Sequence, residues 1–117
     1  MKQVRIKLSK EAKEVYDYLN AKAELSNKER FLLKAINYKI DLIKHNFHYG
    51  DPIAKDLIPE EYIDSYGVTN LFRVELPDYW RMLYTLTDGE LNVEIIAFVL
   101  DIIDRNKYNK KFGYRKR

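Results

Sequence analysis

At 117 residues, 46% apolar and 33% charged with only four Gly and three Pro, the chain has the length of one domain that buries roughly two-thirds of its unfolded-state surface, and not the composition of a disordered or repetitive segment. The absence of cysteine excludes thiol nucleophiles, thiolate metal sites and disulfide frameworks, and fits a reducing compartment. The net charge of +3 is localised: seven Lys or Arg and no acid lie from Arg105 onward, whereas fourteen basic residues meet eighteen acidic ones before it.

Val4, Ile6 and Leu8 alternate with Arg5 and Lys7, which predicts a half-exposed strand. Ser9 is a favourable N-cap for the helix that Ala12, Val15, Tyr16, Leu19 and Ala23 mark at helical spacing. Ser26-Asn27-Lys28-Glu29 has the spacing of a capping box. It opens a longer helix whose apolar stripe runs through Leu32, Ile36, Ile40 and Ile43 to about His45, and the short link makes the pair an antiparallel helical hairpin. Gly50-Asp51-Pro52 reads as a turn, and Pro59-Glu60-Glu61 as the first turn of a short helix ending at Gly67. Strands are expected over 70–76, 80–87 and 90–103. Pro77-Asp78 separates the first two, and Asp88-Gly89 suits a two-residue hairpin turn before the third. That third strand loses its alternation around Ile95 to Leu100, which predicts a strand either covered on both faces or occupying the sheet centre. The order predicts one α+β domain over 1–117: a four-stranded sheet formed by the N-terminal strand and a three-stranded antiparallel meander, with the helical hairpin on one face and a basic C-terminal segment.

The period-2 rule puts Phe72, Val74 and Leu76 with Trp80, Met82, Tyr84 and Leu86 on the core face. Arg73, Glu75 and Arg81 therefore share the opposite, open face, and Arg105, Lys107 and Tyr108 follow the last strand at its rim. Metal-free cleavage of RNA requires a group to take the ribose 2′-OH proton, cations for the charge developing on phosphate, and an acid for the leaving 5′ oxygen. Tyr108, Arg73, Arg81, Arg105 and Glu75 are the candidates for those roles. Guanidinium forks match phosphate oxygens bidentately, and cations around a phenol favour the phenolate. Lys107, Lys110, Lys111, Arg115 and Lys116 are the candidate backbone contacts, since clustered cations beside aromatic rings meet phosphates and bases. His45 and His48 lack the convergent ligands that a zinc site needs, so no metal and no cofactor are expected. No apolar run is long enough to cross a bilayer and the N-terminus carries no signal-peptide pattern, so the expectation is a cytoplasmic protein with no membrane partner.

Three stretches are familiar together: Tyr66-Gly67-Val68-Thr69-Asn70-Leu71-Phe72-Arg73-Val74-Glu75-Leu76, Trp80-Arg81-Met82-Leu83-Tyr84, and Asp104-Arg105-Asn106-Lys107-Tyr108-Asn109-Lys110-Lys111-Phe112-Gly113. They resemble the RelE/ParE superfamily of toxins from type II toxin–antitoxin systems. The resemblance implies a small antiparallel sheet behind a helical hairpin, a cognate antitoxin as protein partner, and messenger RNA, cut at the ribosome without a metal, as the target of the ribonuclease branch. It places Arg73 at the family's basic residue on the strand after the loop, Arg81 at the arginine of the next strand and Tyr108 at the terminal-segment aromatic of the ribonuclease members. Relatives carry His where this chain has Arg105, and the best-known ribonucleases carry Lys where it has Glu75. Those two departures support the alternative, a non-catalytic protein of the same fold, either a topoisomerase inhibitor or a degenerate toxin.

Overall fold

A computed structural model describes residues 3–89 and 94–113. Along the chain run β1 (Gln3–Leu8), α1 (Lys10–Lys22), α2 (Asn27–His45), β2 (Asp51–Pro52), α3 (Glu60–Tyr66), β3 (Phe72–Glu75), β4 (Arg81–Asp88), β5 (Glu94–Ile103) and α4 (Arg105–Phe112). The α+β class is as expected, but the sheet has five strands and not four, in the order β1-β5-β4-β3-β2. The added strand is Asp51–Pro52, read as a turn from its sequence, which pairs antiparallel with β3. A proline is tolerated there because an edge strand leaves one row of backbone groups unpaired. Its position is held from the core: the Tyr84 hydroxyl accepts from Gly50 N at 2.9 Å and donates to Phe47 O at 2.8 Å. A Cβ on Gly50 would come within 2.9 Å of the Tyr84 ring, so the close approach requires glycine.

The meander β3-β4-β5 is antiparallel, and β1 lies parallel to β5 on its other side. β5 is thus an interior strand covered on both faces, with β4 at the centre, which is why its apolar run is nearly continuous. β3 is shorter than its apolar pattern, since Asn70 meets β4 through its side chain: Leu86 N donates to Asn70 Oδ1 at 2.8 Å and Asn70 Nδ2 to Leu86 O at 3.0 Å. Asp88 belongs to β4 opposite Ile95, and Gly89 N donates to Glu94 O, so Asp88-Gly89 is not the two-residue turn expected from the dipeptide. The apolar faces of β4 and β5 set the register, overriding a local turn preference. The first part of the predicted strand, residues 90–93, lies outside the described residues.

Ser9 caps α1, its Oγ accepting from Ala12 N at 3.0 Å. Ser26 precedes α2 but makes no side-chain cap bond, so the expected capping box does not form. Arg30 takes over the junction, donating to Ala23 O at 2.9 Å and to Asn27 Oδ1 at 2.6 Å.

Both faces of the sheet are covered. α1 and α2 pack Ala12, Leu19, Leu32, Ile36 and Ile43 against Phe72, Val74, Met82, Tyr84, Val99 and Ile102. On the other face, expected to be open, a second core joins Tyr62, Leu71, Leu83, Leu100, Ile103 and Tyr108. The second core exists because the C-terminal segment is a helix and not a tail. Asp104 caps α4, its Oδ1 accepting from Lys107 N at 2.9 Å, and Gly113 ends it at φ 69°, a conformation costly for any residue with a Cβ. Tyr108 and Phe112, one turn apart, carry its apolar side inward and stack at 4.4 Å between centroids.

One irregularity aligns the two faces. Leu83 pairs with Asp101 but Tyr84 pairs with Val99, so Leu100 is an extra residue, a β-bulge. Strict alternation would put Asp101 beside Val99 in the helical-hairpin core. The bulge turns it to the second core, where Tyr62 Oη donates to its carboxylate at 2.6 Å. The Leu100 carbonyl accepts from Ser9 Oγ at 2.7 Å.

Candidate active site

β3 and β4 pair so that Glu75 sits opposite Arg81, with Arg73 two residues along on the same face. α4 then lays Tyr108 over them. Arg73 Nη1 donates to Tyr108 Oη at 3.1 Å, and the Arg81 guanidinium lies 5.0 Å from the Tyr108 ring centroid. The Glu75 carboxylate spans the two arginines, Oε2 at 3.6 Å from Arg73 Nε and Oε1 at 3.7 Å from Arg81 Nε. Both Nε groups are buried and make no hydrogen bond, because the carboxylate stands just beyond hydrogen-bond reach of each. Glu75 itself is the accessible member, its side chain 58% exposed. Three elements therefore converge on one solvent-facing carboxylate flanked by two cations.

Asp51 of β2, absent from the sequence-based candidates, adds a second carboxylate 3.7 Å from Arg73 Nη2. Two guanidinium groups and two carboxylates leave the cluster close to neutral. The Tyr108 hydrogen bond, opposed by burial and aided by the nearby carboxylates, holds the Arg73 cation above its ordinary range. It stays charged at any physiological pH.

The five candidate catalytic residues do not all meet. Arg73, Glu75, Arg81 and Tyr108 come together, but Tyr108 is 1% exposed and so is not the surface phenol expected at the rim. The reason is the amphipathic α4, which turns its one-turn aromatic pair to the sheet. Arg105 points the other way. It is exposed, with its guanidinium 5.1 Å from the ring centroid of Tyr79. Tyr79 belongs to the link between β3 and β4, where Asp78 (φ 58°) and Tyr79 (φ 63°) are both left-handed, and its carbonyl accepts from Arg81 Nη1 at 2.5 Å.

The basic residues of α4 divide similarly. Lys107 and Lys110 are exposed and line, with Glu11, Glu14, Val15 and Trp80, a groove of about 610 Å³ between α1 and α4. Lys111 faces inward, with Nζ 2.6 Å from Glu61 Oε2 and 3.2 Å from Asp101 Oδ2, over the Tyr62 ring. Burial disfavours its charge, but the two carboxylates outweigh that and raise its pKa. This lysine closes the fold instead of reaching outward. Arg115 and Lys116 lie outside the described residues. Of the histidines, His45 Nδ1 lies 2.8 Å from Asp41 O, and His48 packs against Phe47 and Phe72.

Sequence reasoning missed Asp51, Tyr62 and Asp101. Asp51 contacts the site only through a strand that its own Pro disguises, and Asp101 reaches the second core only through the bulge. Among the described residues no helix is long and apolar enough to cross a membrane. No protein-family model, curated protein or solved structure matches the chain.

Proposed function

We propose that this protein is a RelE-like toxin that cleaves messenger RNA at the ribosome without requiring a metal, with Glu75 and not Tyr108 as the proton acceptor. The observation that carries this reading is the accessible Glu75 carboxylate set between two arginines, 3.6 Å from Arg73 Nε and 3.7 Å from Arg81 Nε. Glu75 takes the ribose 2′-OH proton, and the 2′ oxygen attacks phosphorus. Arg73 and Arg81 stabilise the extra negative charge, their guanidinium groups being held on either side of Glu75. The 5′ oxygen leaves with a proton from solvent, giving a 2′,3′-cyclic phosphate and a 5′-hydroxyl end. Tyr108 positions the two arginines from below, and the exposed Arg105, Lys107 and Lys110 hold the RNA backbone. Its neutralising partner is a cognate antitoxin protein, and its compartment is the cytoplasm.

Purified protein is incubated with messenger RNA, alone and with ribosomes, and the 5′ ends are mapped. Glu75→Gln is expected to lower cleavage about 100-fold or more, the usual contribution of a general base, and Arg81→Ala by a comparable factor. Absence of cleavage in every setting, or a Glu75→Gln variant as active as wild type, defeats the proposal.

A non-catalytic binding protein of the same fold is the second reading. It is favoured by the near-neutral charge of the cluster, in which Asp51 and Glu75 already balance Arg73 and Arg81. Expression that triggers DNA-damage signalling while messenger RNA stays intact selects it over the nuclease.

A further inference from the structure

α2 carries two apolar stripes and the fold buries only one. Leu32, Ile36 and Ile43 face the sheet, whereas Phe31 and Tyr38, each 62% exposed, form a second stripe with the half-buried Leu42 and with Ala35, which at the stripe's edge also touches the core. At 100° per residue this stripe is turned roughly 110° from the core-facing one. Among the described residues its two rings, Phe31 and Tyr38, stay in solvent. On one flank α1 is tied to α2 through Tyr16 Oη and Asn37 Oδ1 at 2.6 Å, and on the other Lys39 Nζ reaches Tyr49 Oη at 2.9 Å. The stripe lies between these two attachments.

Its spacing is that of a helix-pairing seam. Lys28, Phe31, Ala35, Tyr38, Leu42 and His45 alternate steps of three and four, the a and d positions of a heptad with apolar centre and polar ends. We propose that α2 pairs antiparallel with α2 of a second copy of this chain, making a two-fold dimer. The register that superimposes the seam on itself sets Phe31 against Leu42 of the other copy and Ala35 against its Tyr38, a large ring over a small side chain in each central layer. The same register brings Lys34 beside Asp41 of the other copy, once on each side of the axis. Both are exposed, and neither forms an ion pair among the described residues. A parallel pairing would instead bring Lys34 against Lys39, which already serves Tyr49. The charges thus select the antiparallel arrangement.

A two-fold interface of this kind closes on itself and leaves no free patch for further growth. It lies on the helix side of the sheet, opposite the face carrying Arg73, Glu75 and Arg81, so both candidate sites stay open. A single helix pair buries less than the standard interface of about 1,600 Å², so association in the micromolar range is expected.

Sedimentation equilibrium of the full chain across the micromolar range tests this. Wild type is expected to shift from monomer to dimer, and Tyr38→Glu to weaken association at least about tenfold. Lys34→Glu and Asp41→Lys alone should each weaken it about threefold to tenfold, and the double variant should restore it to within about twofold of wild type. Should Tyr38→Glu prove unfolded by circular dichroism, the charge-swap series decides, because residues 34 and 41 are solvent-facing. A wild-type chain that stays monomeric overturns the proposal. So does a dimer insensitive to Tyr38→Glu in a folded variant, or a charge-swapped double variant no tighter than the single ones.

Discussion

Glu75 and Tyr108 exchange the roles that their residue types suggest. A carboxylate facing two arginines across a hairpin usually reads as a surface ion pair of about 0–1 kcal/mol, and a tyrosine in a basic segment as the reactive group. Yet Glu75 is the accessible group, and Tyr108 is the buried prop, bonded to one arginine and lying under the other. Tyr108→Phe keeps the ring beneath Arg81 and leaves Arg73 Nη1 without that acceptor. It is expected to cost about 1–3 kcal/mol in urea-unfolding free energy while reducing cleavage far less than Glu75→Gln. A loss of cleavage equal to that of Glu75→Gln, with stability unchanged, would return the phenol to the chemistry. The shared face of Arg73, Glu75 and Arg81 was legible in the sequence, because strand alternation is a local property that a turn between two strands preserves. The depth of Tyr108 was not, since it depends on where α4 docks.

At the scale of elements, the bulge in β5 and the cap of α1 are one device. Ser9 Oγ accepts from Ala12 N, starting the helix, and donates to the carbonyl of the bulged Leu100. Ser9→Ala removes a helix cap and orphans a buried acceptor together, so it is expected to destabilise the fold by about 1–3 kcal/mol. Ser9→Thr, which keeps the hydroxyl, should cost much less, and urea titration of both variants checks the difference. Equal losses would mean that the β-carbon environment, and not the hydroxyl, is what Ser9 supplies. α4 is the element least legible in the sequence. Its cap Asp104, its terminating Gly113 and the Tyr108-Phe112 pair at i, i+4 are all present in the chain, but seven cations in thirteen residues obscure a helix with only one narrow apolar side. The capping-box spacing at Ser26 misled in the opposite sense, because Arg30 satisfies the junction by a different route.

At the scale of the whole molecule, the second core ties α3, α4 and β5 together through Tyr62, Asp101, Lys111 and Glu61. Burial, then the charge of Asp101, pushes the Tyr62 phenol well above its ordinary pKa, and the Lys111 ammonium is likewise held above its own. Both groups keep protons in the folded state that the unfolded chain releases, so their contribution is complete below the unfolded values, about 10 for Tyr and 10.4 for Lys. It is lost as pH rises through the higher folded values, and stability falls with pH wherever the folded state binds more protons. Urea midpoints followed with pH should therefore stay level through neutrality and fall above about pH 10, less steeply in Lys111→Met relative to its own neutral value. A variant with the same alkaline slope as wild type would remove Lys111 from the account. By itself the sequence determined the α+β class, the helical hairpin, the antiparallel meander and the face on which Arg73, Glu75 and Arg81 stand, because each follows from a period of 2 or 3.6 residues read within one segment. Only the tertiary structure decided the fifth strand at Asp51–Pro52, the bulge that turns Asp101 inward, and the docking of α4 that buries Tyr108 and leaves Glu75 in solvent. Each of those is a contact between segments dozens of residues apart, where packing, and not local propensity, chooses among conformations that the chain could otherwise adopt.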